Sequence, residues 1–122
     1  MGHLFISHAR SDRSQIEQLL ETLEKNSGRH LWIDVQDISA GELWRTSIVA
    51  AIKAADAFII VLSRTSVDSD HVRTELDIAH ELKIKIIPVL IDEVDIPDEM
   101  IYPLAGRQNI DLTKRDTLNS GY

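Results

Sequence analysis

Phe58-Ile59-Ile60-Val61-Leu62 is apolar at every position, and after eight intervening residues comes His71-Val72-Arg73-Thr74-Glu75-Leu76-Asp77-Ile78-Ala79. A strand that is apolar on both sides is covered on both faces, as in parallel sheets flanked by helices. The second stretch reads as the helix that follows this strand. In such folds ligands bind where strands end and helices begin, near the point where strand order reverses. Glu75 lies close to that place. A lone carboxylate there can stabilise a sugar cation.

Outward from this unit the chain alternates in the same way. His3–Ile6 is a short apolar strand at the amino terminus. Ile16, Leu19, Leu20 and Leu23 fall at i, i+3, i+4 and i+7, the apolar stripe of one helix face. Ser11 or Asp12 can cap its start, and Gly28 follows its end. His30–Ile33 is a second strand and Asp34–Gly41 a polar loop. Leu43–Lys53 forms a second helix, with Ile48, Ala51, Ile52 and Ala55 along one face. Ala57–Leu62 is the third strand and Asp70–Leu82 the third helix. Ile84–Ile91 is a fourth strand, broken late by Pro88, and Gln108–Leu112 a short fifth. Asp92–Glu99 reads as an acidic, solvated loop. Right-handed crossovers join such units. The expected architecture is therefore α/β, a flavodoxin-like three-layer sandwich. Its five-stranded parallel sheet has order 2-1-3-4-5, with helices on both faces.

Composition bounds the function. A chain of 122 residues fits one domain with a single core. A net charge of −7 argues against a general nucleic-acid surface. The absence of cysteine excludes disulfides, a thiol nucleophile and thiolate metal ligands. No His/Asp/Glu set has recognisable metal spacing, so no metal is expected. No apolar stretch approaches the ~20 residues of a membrane span, and no secretory leader opens the chain. The expectation is a cytoplasmic protein that binds neither membrane nor nucleic acid.

Two nucleotide-binding readings fail on residues. The turn after the first strand, Ser7-His8-Ala9-Arg10, has no glycine, so neither a dinucleotide fingerprint nor a P-loop is present. A phosphoacceptor receiver domain would carry acidic residues after the first strand and an aspartate after the third. Ser7, His8 and Ser63 stand in those places.

The remaining motifs resemble one family. Phe5-Ile6-Ser7-His8-Ala9-Arg10-Ser11-Asp12 resembles the opening strand and loop of TIR domains. Trp32-Ile33-Asp34 and Ile38-Ser39-Ala40-Gly41-Glu42-Leu43-Trp44 resemble their second strand and BB loop. Ile60-Val61-Leu62-Ser63, the Glu75 helix and Ile87-Pro88-Val89 match the third and fourth units. The resemblance runs over about residues 3–112, in order. The family includes NAD-consuming enzymes in bacteria, plants and animals, and also non-enzymatic signalling adaptors. Membership therefore speaks for fold before function.

The resemblance to the enzymatic, bacterial type implies cleavage of NAD+ at the nicotinamide–ribose bond, with NAD+ as substrate and no cofactor. Glu75 takes the place of the family's catalytic glutamate. Many enzymatic members have tryptophan four residues earlier, where this chain has His71, which can still stack on a flat ring. The chemistry asks for little: nicotinamide in NAD is already a cationic leaving group, and the transition state is a ribosyl oxocarbenium ion. Ser7, His8, Ala9 and Arg10 would line the substrate pocket; Arg10 could reach the diphosphate with its planar fork, or equally be a surface charge paired with Asp12. Asp34 and Ser39 could reach substrate hydroxyls, although Asp34 could equally tie its own loop. Trp44 could flank the pocket or pack in the core, and Trp32 is read as structural. Gly41 would supply a conformation open only to glycine.

The alternative is a non-catalytic module acting through the BB loop, Asp34–Trp44, which is also the expected surface for self-association. Nucleoside deoxyribosyl transfer is a third reading, but its second acidic or tyrosyl partner has no candidate. Thr113–Tyr122 is polar, where the family usually has a further helix. That suggests a single TIR domain over residues 1–122, cut from a longer protein with a fused sensor domain, of a kind used in bacterial defence or signalling.

Overall fold

Five strands alternate with helices in a computed structural model that describes residues 3–33, 48–104 and 110–112. In chain order they are β1 (His3–Ser7), α1 (Arg13–Ser27), β2 (His30–Ile33), α2 (48–53) and β3 (Ala55–Leu62). Then come α3 (Asp70–Glu81), β4 (Ile86–Leu90), α4 (Asp98–Leu104) and β5 (Ile110–Asp111). All pairings are parallel and the order is β2-β1-β3-β4-β5, the flavodoxin-like order that the sequence predicts. Among the described residues no helix is long and apolar enough to cross a membrane.

The sheet has two buried faces because strand side chains alternate. Phe5, Phe58, Ile60 and Leu62 form one layer with Ile52 of α2, Val72, Leu76 and Ala79 of α3, and Met100 of α4. Leu4, Ile6, Ile59, Val61 and Val89 form the other with Ile16 and Leu20 of α1. Phe5 stacks between Trp32 at 4.9 Å and Phe58 at 5.4 Å, which gives Trp32 the structural place assigned to it. Truncating a fully buried Phe such as Phe5 or Phe58 to Ala costs about 3–5 kcal/mol.

Several boundaries differ from the sequence reading, each for a local reason. The fourth strand begins at Ile86, not Ile84. Lys83 takes a left-handed φ of 58°, and the Ile84 N–H returns to the Ala79 carbonyl at 3.0 Å, closing α3 first. Pro88 does not break the strand; it lies beside Ile60 within the ladder. Ala55 opens β3 instead of joining the face of α2. The acidic loop is shorter than predicted, since Asp98 begins α4, which seats Met100 in the core at 1% exposure. Seven residues with Pro103 among them give no readable helical period. Gly28 does close α1, at φ 67°, with its N–H on the Glu24 carbonyl. Asp12 holds the N-cap position of α1 but caps nothing with its side chain, which is used elsewhere.

Candidate active site

The C-terminal ends of β1 and β3 lie side by side, Ser7 next to Ile60. Two connections leave from there: residues 8–12 into α1 and residues 63–69 into α3. His8, Asp12, Ser63 and Ser66 in these connections are buried, and the last three are bonded to one another. The Ser63 hydroxyl donates to the Asp12 carboxylate. Ser63 and Ser66 exchange bonds, each backbone N–H donating to the other's Oγ, at 2.8 and 2.9 Å. Arg73 Nη2 donates to the Val67 carbonyl at 2.7 Å, tying the second connection to α3.

α3 starts at Ser69, whose Oγ accepts from the Val72 N–H. The same hydroxyl lies 2.9 Å from His71 Nδ1, and His71 Nε2 lies 3.2 Å from the His8 carbonyl oxygen. A carbonyl only accepts, so Nε2 carries the proton and Nδ1 accepts from Ser69. His71 therefore clips the β1 connection to the first turn of α3. One turn on is Glu75, on the inward stripe that contains Val72, Leu76 and Ala79. Glu75 is 1% exposed, and its Oε1 accepts from the Ser7 hydroxyl at 2.7 Å.

Beside this lies an open groove of about 740 Å³. Ala9, Arg10 and Ser11 form one wall. Arg64, Thr65, Asp68 and Ser69 form the other, with His71 at the side. The structure thus brings Ala9, Arg10 and His71 together at a groove. It sets Ser7, His8 and Glu75 beneath it, at 0%, 4% and 1% exposure. Glu75 is not the partly exposed helix residue that a mid-helix glutamate ordinarily is. Asp34, Ser39, Gly41 and Trp44 lie outside the described residues. Arg64, Thr65, Asp68 and Ser69 were absent from the sequence-derived site. Their place directly after β3 is the signal that could have found them. Among the described residues no group of three or more His, Asp or Glu could hold a metal ion.

The sequence model of the TIR domain matches residues 4–121. The chain belongs to the TIR family. This TIR domain is 33% identical to the NAD(+) hydrolase tir-1 of Caenorhabditis elegans over 102 residues, 77% of the chain and 10% of that protein. It is 29% identical to the NAD(+) hydrolase SARM1 of Danio rerio over 110 residues, 80% of the chain and 15% of that protein. The chain thus spans no more than about a seventh of either relative. The TIR domain of the Toll-related receptor TRR-2 from Hydra magnipapillata superposes with a TM-score of 0.76 at 22% identity, covering 98% of this chain and 90% of that one. That likeness bears on the fold alone.

Proposed function

We propose that this TIR domain cleaves NAD+ at the nicotinamide–ribose bond, with Glu75 as its catalytic carboxylate. Two curated relatives are NAD(+) hydrolases. The observation that carries the reading is Glu75 itself, buried under the C-terminal edge of β1 and β3 and bonded to Ser7. Burying a carboxylate is costly unless it is paired and hydrogen-bonded. A buried acid at the ligand-binding edge of such a sheet is a functional-site candidate on physical grounds.

The chemistry needs one carboxylate. The C1′–N bond breaks and its electron pair leaves with nicotinamide, which becomes neutral. The ribosyl cation left behind is stabilised by the Glu75 charge. Water then adds at C1′ and loses a proton, giving ADP-ribose; attack by a ring nitrogen of the adenine instead gives the cyclic form. Arg10 and His71 at the groove would hold the diphosphate and one base. Because Glu75 is covered, substrate reaches it only when the covering chain moves, a gating step of the kind seen in many enzymes.

The test is Glu75→Gln, which keeps shape and an acceptor for Ser7 but removes the charge. Nicotinamide release, followed by chromatography on concentrated protein, should fall about 100-fold or more. Circular dichroism should show the variant folded. Cleavage at the wild-type rate would overturn the assignment.

A further inference from the structure

We infer that Ser7 is a positioning residue for Glu75 and not a substrate contact: its hydroxyl, fixed at the end of β1, sets the plane of the catalytic carboxylate. This rests on the reading of Glu75 given above. Ser7 is as buried as Glu75, and its one hydroxyl proton is already given to the Glu75 carboxylate. Its place follows from strand alternation. Leu4 and Ile6 face α1, whereas Phe5 packs in the layer of Val72 and Leu76. Ser7, two residues beyond Phe5, shares that face and so points at α3. Glu75 comes from the opposite side, on the inward stripe of α3. Two polar side chains thus meet at the end of an otherwise apolar layer, with Oγ 2.7 Å from Oε1.

The terminal torsion of a glutamate is a broad, roughly two-fold rotor. A donor held on one oxygen fixes that rotor, and with it the position of the other oxygen. The donor's own base is rigid: Ser7 is paired with Ile60 in β3, and the next carbonyl, His8, is held by His71 Nε2. A misplacement of about an ångström at the reacting centre can cost up to about 100-fold in rate. Ser7 therefore acts on the rate of bond cleavage through Glu75 and leaves substrate affinity alone. The opposed possibility is that the Ser7–Glu75 bond is a resting lock that substrate must break, so that removing it speeds turnover.

The experiment compares Ser7→Ala, Ser7→Cys and Ser7→Thr in the same protein. Ser7→Ala should lower kcat about tenfold, about 1.4 kcal/mol in barrier. KM for NAD+ and the affinity for ADP-ribose measured by calorimetry should stay within about twofold, as for loss of an interaction made only in the transition state. Cysteine, a weaker donor of similar size, should fall between, and threonine, which keeps the hydroxyl, should restore the rate. A second readout does not need turnover. The carboxyl-carbon NMR signal of Glu75, assigned by its loss in Glu75→Gln, should move in Ser7→Ala and return in Ser7→Thr. If the wild-type domain leaves NAD+ intact, the proposed activity fails while this signal still reports on the Ser7–Glu75 bond. A rise in KM at constant kcat, a rise in kcat, or an unmoved carboxyl signal would each overturn the inference.

Discussion

His71 shows how one side chain is constrained by what its two nitrogens already do. It occupies the place where the family resemblance implies a tryptophan in many enzymatic members, and it lines the groove. Yet one nitrogen is engaged by Ser69 and the other by the His8 carbonyl. Stacking on a base leaves these in-plane bonds intact, so both roles are compatible and separable by substitution. His71→Phe keeps a ring and loses both bonds; His71→Ala loses everything. If the ring serves the substrate, Phe should hold KM for NAD+ within about twofold while Ala raises it. If the clip serves the enzyme, hydrogen exchange over residues 8–10 should quicken in both variants alike, since neither holds the His8 carbonyl. Unchanged exchange in both would show that the clip contributes nothing to loop stability. The sequence displayed His71 at the right helical spacing from Glu75, one turn before it. It could not display the bond to His8, because that partner is a backbone atom on another element.

At the scale of elements, the two connections that frame the site are held by buried polar bonds instead of by turn glycines. Asp12 is 5% exposed and accepts from Ser63, whose oxygen also accepts from the Ser66 N–H. Removing one partner of a buried bond leaves the other unsatisfied, at about 1–3 kcal/mol. Asp12→Ala should therefore lower unfolding free energy by that amount in urea titration. Ser63→Ala should cost a similar amount. The double variant should cost clearly less than the two together, because both remove one shared network. Strict additivity would show that Asp12 and Ser63 are not coupled. Much of this scale was legible in sequence. Phe58–Leu62 is apolar throughout, and the Ile16-Leu19-Leu20-Leu23 stripe fixes α1, so the elements and layers followed from pattern and the strand order from analogy with the flavodoxin-like fold. The misses have separate causes. Asp12 looked like a cap and is a tertiary acceptor, Lys83 ends α3 without glycine, and α4 is too short to have a period. At the site, the candidates Glu75, Ala9, Arg10 and His71 were legible from motif and resemblance. The buried placement of Ser7 and His8 was not, because burial of a polar residue depends on partners that a linear pattern does not record.

For the whole molecule, Glu75 is buried beside an open groove, and the loop expected to complete the site lies outside the described residues. β2 is an edge strand, and Ile33, its last residue, pairs with Ile6, the neighbour of Ser7. β2 thus ends at the same end of the sheet as Ser7; the segment Asp34–Trp44, expected from the sequence to carry self-association, lies outside the described residues. An edge strand followed by a long connection is a natural contact for a second copy. Assembly through that segment would favour one arrangement of the chain beside Glu75 and so select the competent state of the site. A protein that is only fractionally competent as a monomer gains activity in proportion to the population that assembly shifts. Specific activity toward NAD+ should then rise with protein concentration across a wide dilution series, by tenfold or more. Tethering copies to a scaffold should reproduce the rise at low total concentration. Gly41→Pro should flatten the series, because proline fixes φ and restricts rearrangement of the loop. It should leave the weak activity of the dilute monomer in place. High activity that is independent of dilution would reject control by assembly and still leave Glu75 as the group to be tested, since the charge acts within one copy.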